Sequence, residues 1–424
     1  MSKSFPVWNR ATARTCELKS AIVACFRGRE EGLTEHLSRF NLADWQSVLW
    51  WLDISGMAIY FLDRARSTGA EKSIPEQIAA GLEERLQRNS VRIDALLQEA
   101  SMLATWFHGG GIPYVLMKGI TLTPDSVPNP ALRSQTDLDF MLPRRYAAQA
   151  IHYILRLGYK LHATSGNTLE FRAGQVSLPD LANIYSVRTQ RALELHLIHD
   201  SADERGALDR RVTRIFQEAK ISTFSREDVL VQQALHLLKH LCGEHTRLSW
   251  ALEFQRHVRA RKGYPEFWSA AQAVARTEWN GDLAMGMALW ITEGMFGRSD
   301  LQIPQQWRSE SLPPRIRLWM ERYVRDLLMS DSIGSKLYAL LNVEVPRRAD
   351  ELKLKRKTHK ILFPLYPPAN ITRPNPEESL AERAKRYGIE VDYFVRRLHF
   401  HVVEGLRFST ECLRWKRAAV RCRQ

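Results

Sequence analysis

The sequence predicts an α+β protein whose small core of strands lies between a helical arm and a larger helical region. Three observations carry that expectation. Up to Phe107 apolar residues recur every three or four positions, the spacing of a helix face. At Gly109-Gly110-Gly111 that spacing stops, and two later stretches, Thr136 to Leu142 and Ala192 to Ile198, alternate with a period of two. From about Asp203 helical spacing returns and holds to the end. A chain of 424 residues exceeds one ordinary core. The expected division is an arm over 1–107, an α+β core over 108–202, a helical domain over 203–345 and a basic helical region over 346–424.

Each element follows from local pattern. Leu42 to Leu62 reads as one helix with Gly69 closing the segment, and Ile78 to Phe107 reads as a second, with Leu82, Leu86, Ile93, Leu96, Leu97, Ala100 and Leu103 on its stripe. Trp45, Trp50 and Trp51 are expected as core anchors rather than as a platform for stacking bases. The three glycines stop the helix, and the short apolar run Ile112 to Met117 follows as a buried strand. Pro124, Pro128 and Pro130 exclude regular helix from the next loop. Thr136 to Leu142 is the second strand, Arg144 to Leu157 an amphipathic helix ended by Gly158, and Tyr159 to His162 is extended. Leu169 to Arg172 is expected to form a hairpin with Val176 to Leu178, and Ala192 to Ile198 is the last strand. The expected helices after it are Asp228 to Leu241, Leu248 to Ala260, Pro265 to Ala275, Leu283 to Phe296, Ile316 to Met329 and Glu378 to Tyr387. Five prolines make Phe363 to Pro376 a loop or linker.

Composition narrows the class. No apolar run approaches the roughly 18 residues that cross a bilayer, and the first twenty residues lack the apolar stretch of a secretory signal. Cys16, Cys25, Cys242, Cys412 and Cys422 are odd in number and contain no CxxC pair, which argues against a disulfide framework or a zinc site. A reducing, cytoplasmic setting is expected. The formal charge is +14, and Val345 to Gln424 holds 19 Lys and Arg against 9 Asp and Glu. Such a surface suits anionic partners: nucleic acid, acidic lipid or a phosphorylated substrate.

Chemistry concentrates between Lys118 and His196. Residues two apart in a strand share a face, so Asp137 and Asp139 point one way while Leu138 and Phe140 point into the core. Glu194 and His196 obey the same rule on the later strand. If the two strands are neighbours, three carboxylates converge, and their mutual repulsion is relieved by a cation such as Mg²⁺, which takes carboxylate and phosphate oxygens. Lys118-Gly119 follows a buried strand and Arg133 stands four residues before Asp137, placing positive charge and an approachable backbone where phosphate would lie. His236 and His240 have the spacing of a metal pair, but the zincin glutamate is missing, so they read as packing residues.

This order of strand, Lys-Gly loop, Asp-Leu-Asp-Phe strand and later acid resembles the polymerase-β-like nucleotidyltransferase superfamily. It is most similar to a bacterial subgroup with an LKG motif, an Arg before D-[IL]-D-[LF], a helix ending in Gly-Tyr, and a [DE]LH strand. The matching residues are Leu116-Met117-Lys118-Gly119, Arg133, Asp137 to Phe140, Gly158-Tyr159 and Glu194-Leu195-His196. More loosely, Asp228, Leu230, His236, His240 and Trp250 match a following helical pattern, with Glu253 where Asp is commoner. The resemblance covers about 40–260. It implies a small mixed sheet and a Mg²⁺- or Mn²⁺-dependent transfer of a nucleoside monophosphate from an NTP, ATP first, to a hydroxyl or phosphate acceptor. The settings of the family suggest an acceptor in a peptide natural-product or polysaccharide pathway. Asp137, Asp139 and Glu194 would hold metal, Glu194 would also orient or deprotonate the acceptor, and Lys118, Gly119 and Arg133 would meet the triphosphate, with His196 near substrate. Lys-Gly in place of the usual Gly-Ser bears on which phosphate is held. Two other readings are a transferase of the same fold acting on a phosphorylated peptide, and a non-catalytic basic module for nucleic acid.

Overall fold

A computed structural model describes residues 13–28, 32–174, 185, 191–199, 202–216, 218–298, 304–332, 334–346 and 379–421. The chain divides into two compact units, one of residues 1–238, 246–312 and 324–333, the other of 239–245, 313–323 and 334–424.

The first unit opens with helices α1 (Ala13–Ala24), α2 (Leu33–Ser38), α3 (Leu42–Ile54), α4 (Ala58–Ser67) and α5 (Glu76–Gly109). Asn41 and Asp44 form a reciprocal capping box that fixes the start of α3. The single helix expected over Leu42 to Leu62 is two. The break is at Gly56, whose φ is +73° and where a Cβ would lie 2.4 Å from Ser249 Oγ. A side chain there would collide with the later helix, so the chain turns on a glycine. Trp45 and Trp51 are fully buried, and Trp50 and Trp51 donate their indole N–H groups to the Asp331 and Leu328 carbonyls.

Seven strands form one mixed sheet: β1 (Val115–Met117), β2 (Asp137–Pro143), β3 (Lys160–Ser165), β4 (Thr168–Ala173), β5 (Arg191–Ile198), β6 (Val212–Phe216) and β7 (Ala219–Thr223). Their order is β3-β4-β5-β2-β1-β7-β6. β2 runs parallel to β5 and β1 parallel to β7, and the remaining pairs are antiparallel. The inward residues Leu138, Phe140, Leu142, Leu193 and Leu195 join Leu103, Phe107 and Ile154 in one core, which places α5 and α6 (Ala147–Arg156) against the sheet. The opposite face carries the acids.

Two expectations are corrected here. Leu169 to Arg172 does form a hairpin strand, but β4 pairs with β3 before it and β5 after it; Val176 to Leu178 lies outside the described residues. The stretch after Asp203 is not helical throughout, because β6 and β7 form a hairpin turning at Glu218, φ +71°. Each strand has only five residues, and β6 exposes Val212 and Ile215. So short a strand leaves too little alternation to read.

After α7 (Ala202–Asp209) the unit continues with α8 (Arg226–Leu241), α9 (Leu248–Ala260), α10 (Pro265–Thr277) and α11 (Gly281–Phe296). Ser225 caps α8 through the Asp228 amide, and Pro265 stands in the first turn of α10. Ile316 to Met329 is helical but interrupted: α12 (Pro314–Trp319) and α13 (Arg325–Leu328) flank a π-helical stretch at Met320–Val324. The second unit holds α12, α14 (Tyr338–Glu344) and α15 (Leu380–Arg421). The helix expected over Glu378 to Tyr387 therefore runs on for 42 residues. Trp319 donates to the Leu337 carbonyl, and Arg397 of α15 pairs with Glu244. Lys353 to Lys357 and Phe363 to Pro376 lie outside the described residues. Among the described residues no helix is long and apolar enough to cross a membrane.

Candidate active site

The parallel register of β2 and β5 builds the site. Asp139 stands opposite Glu194 and Met141 opposite His196, while Asp137 faces Ala192 at the strand entrance. A ligand atom from each of Asp139, Glu194 and His196 lies within 4.8 Å of the others, a possible acidic metal site. His196 Nε2 is 3.1 Å from Asp139 Oδ1 and 3.3 Å from Glu194 Oε2. Its other ring nitrogen is 3.1 Å from Thr168 Oγ1 on β4, a contact that sets the ring's orientation. Across the next strand pair Glu170 lies beside Glu194, where Arg172 neutralises it at 2.6 Å.

Lys118 closes the other side. Its Nζ donates to Asp139 Oδ1 at 2.9 Å. The lysine has φ +54° and ψ −163°, a region costly for any residue with a Cβ. Its carbonyl is fixed by the Thr121 amide at 3.0 Å and the Thr121 hydroxyl at 2.7 Å. Gly119 follows with φ +50°, and a Cβ there would sit 2.0 Å from the Gln135 amide nitrogen. That amide donates to the Asp137 carbonyl at 2.6 Å, so the glycine lets the loop close onto the entrance of β2.

The charges are strongly coupled. Burial and then the Asp139 charge push the Asp137 carboxyl up to about 6. Burial also works against ionising Asp139, but the His196 hydrogen bond and the Lys118 charge outweigh it and hold that carboxyl down at about 2. Lys118 stays above its ordinary value, since Asp139, Asp137 and Glu194 overcome its desolvation. His196 is raised too, with its carboxylate hydrogen bonds exceeding the cost of burial.

A family model described as an uncharacterised nucleotidyltransferase matches residues 41–297, more than half of the chain. The chain belongs to this family. Among solved structures, an antigenic nucleotidyltransferase-like protein from Paracoccidioides brasiliensis aligns at 16% identity and a TM-score of 0.29, over 45% of this chain and 92% of its own. No curated protein matches the sequence.

Within this member of the family the residues singled out from sequence are not all gathered at one point. Asp139, Glu194 and His196 come together, Lys118 bonds Asp139, and Asp137 is near enough for its charge to act on Asp139 and Lys118. Arg133 instead pairs with Glu253, Nε to Oε2 at 3.2 Å, although its charge reaches Asp137. His236 packs edge-on against Trp250 with ring centroids 4.7 Å apart. Thr168, Glu170 and Gln135 were not singled out. Thr168 and Glu170 share a strand face by their spacing, the signal that would have found them; Gln135 has none.

Proposed function

We propose that the protein is a metal-dependent nucleotidyltransferase that moves a nucleoside monophosphate from an NTP, ATP first, to a hydroxyl or phosphate acceptor. The observation that carries this reading is the Asp139–Glu194–His196 cluster facing Lys118 on a glycine loop. Two carboxylates and one imidazole fit a divalent ion, with the oxygens suiting Mg²⁺ and the nitrogen favouring Mn²⁺. Asp139, Glu194 and His196 would hold it, with Asp137 alongside. Bound there, it would neutralise charge developing on the transferring phosphate. Lys118 and the backbone at Gly119 would take triphosphate oxygens. Glu194 would accept the proton of an acceptor hydroxyl as its oxygen bonds to the α-phosphorus, and pyrophosphate would leave with the electrons of the broken P–O bond. In this reading the core over 108–202 does the chemistry while the flanking helical regions, including the basic one over 346–424, meet the acceptor.

The test is pyrophosphate release from each of the four NTPs with Mg²⁺ or Mn²⁺. Release that EDTA abolishes supports the proposal; no release from any NTP, with no NTP-dependent rise in melting temperature, sinks it. Ligand at about 100 times its dissociation constant stabilises by roughly 2.7 kcal/mol, which melting detects.

A further inference from the structure

Arg133 is held in an unusual way for a partly buried arginine. Its Nε donates to Glu253 Oε2 at 3.2 Å, and Tyr60 donates its hydroxyl to Glu253 Oε1 at 3.0 Å. Glu253, on α9, is 3% exposed and Tyr60, on α4, is 1% exposed. Asn89 of α5 fixes the backbone by donating to the Ala131 and Arg133 carbonyls at 2.6 and 2.9 Å. Three helices thus hold this pair: α9 meets the Arg133 side chain through Glu253, α4 fixes Glu253, and α5 fixes the Arg133 backbone. The grip is on Nε alone. Neither terminal amino group hydrogen-bonds to a described residue, and the side chain keeps 15% of its surface open. A guanidinium held this way keeps its outer pair of nitrogens for another anion, and that fork matches two phosphate oxygens.

The local charge points the same way. Glu253 balances Arg133, but Arg247, just before α9, adds a second guanidinium; burial first and then Arg133 lower its pKa, and both Glu253 and Asp137 act on it. Arg133 and Arg247 both feel the Glu253 and Asp137 charges, so positive charge gathers beside the acid-lined face. A pair kept only for stability would not need this arrangement, since a buried ion pair adds little over apolar packing.

We propose that Glu253, itself fixed by Tyr60, is a positioning residue that presents the terminal amino groups of Arg133 to a phosphate of the nucleotide substrate. The inference rests on the nucleotidyltransferase reading above. Two views of Glu253 predict opposite signs. As a positioning residue, its loss weakens phosphate binding; as a mere charge partner, its loss frees the Arg133 charge and tightens it.

The experiment is titration calorimetry of the full chain with inorganic tripolyphosphate and Mn²⁺, with KM and kcat for whichever NTP the wild type uses. Arg133→Gln and Glu253→Leu are each expected to weaken tripolyphosphate about tenfold, the effect of one charge-assisted contact. The double variant should be no weaker than Arg133→Gln alone, and Glu253→Gln, which still accepts from Nε, should recover most of the affinity. KM should rise in parallel while kcat changes little. Affinity in Glu253→Leu equal to or above wild type overturns the proposal, as do multiplicative effects in the double variant. Should Glu253→Leu fail to fold, Tyr60→Phe decides, since it keeps every charge and only loosens the carboxylate. A two- to threefold loss supports positioning, and wild-type affinity overturns it. A wild type that binds neither tripolyphosphate nor any NTP removes the parent reading as well, whereas normal wild-type binding with unaffected variants removes this inference alone.

Discussion

At the scale of single residues, Asp139 carries the largest share of the site, since its Oδ1 meets both Lys118 and His196. Asp139→Asn should lower turnover by at least on the order of 100-fold and remove any Mn²⁺-dependent rise in melting temperature. The fold should persist, because Lys118 is 40% exposed and can be solvated once its partner is gone. Unimpaired turnover in Asp139→Asn would mean that the carboxylates serve only structure. Lys118→Ala should raise the KM for NTP by roughly tenfold, the loss of one charge-assisted hydrogen bond, and an unchanged KM would reduce Lys118 to a counter-ion for Asp139. His257 offers a pH prediction away from the site. It is 1% exposed, its Nδ1 lies 3.0 Å from Gln233 Oε1, and burial drives its pKa down to about 4. The unfolded chain takes up that proton near pH 6.5 while the folded chain does not. The stabilisation is complete above pH 6.5 and is lost as pH falls toward 4, by up to about 3 kcal/mol. Denaturant midpoints between pH 7.5 and 4.5 should drop more steeply in wild type than in His257→Gln; equal slopes would place the acid sensitivity elsewhere.

At the scale of elements, the loop after β1 is the part most sensitive to a single methyl group. Gly119→Ala would force the Gln135 amide away and with it the donor to the Asp137 carbonyl. Gly166 supplies the control: its φ is +57° and a Cβ there meets nothing within 4 Å. Both alanine variants should lose about 1 kcal/mol to backbone strain, but only Gly119→Ala should lose most of its turnover. Matching activities in the two would mean that the loop tolerates its displacement. Long elements were legible in the sequence: α5 and α9 have enough turns for a stripe to stand out, and β2 and β5 run for seven and eight residues. The hidden parts are those whose cause lies elsewhere in the chain. The break at Gly56 depends on Ser249, β6 and β7 depend on pairing with each other and with β1, and α15 runs on past Tyr387 to Arg421. In the site, the DxD and ELH spacings put Asp139, Glu194 and His196 on faces that did meet, whereas the Arg133–Glu253 contact joins segments that no local pattern connects.

At the scale of the whole molecule, the charge is lopsided, with its excess beyond Val345 and the acid-lined strands well before it. Neutralising Lys353, Lys355, Arg356 and Lys357 to Gln should raise the KM for a polyanionic acceptor at low salt and bring it level with wild type at high salt, where screening hides the charges. A low-salt KM equal to wild type would assign those residues to solubility. The parallel pairing of β2 with β5 has a consequence in time rather than in space. No hairpin can bring Asp139 to Glu194, because parallel strands must be joined by a crossover, and here α6, β3 and β4 intervene. The two carboxylates therefore meet only after a long loop has closed, which is slow compared with forming helices. A slip of one residue in that pairing would also turn Glu194 into the core and an apolar neighbour out. A refolding chain should regain its helical circular dichroism early and its capacity for Mn²⁺ late, so the ion reports whether the sheet has closed in register.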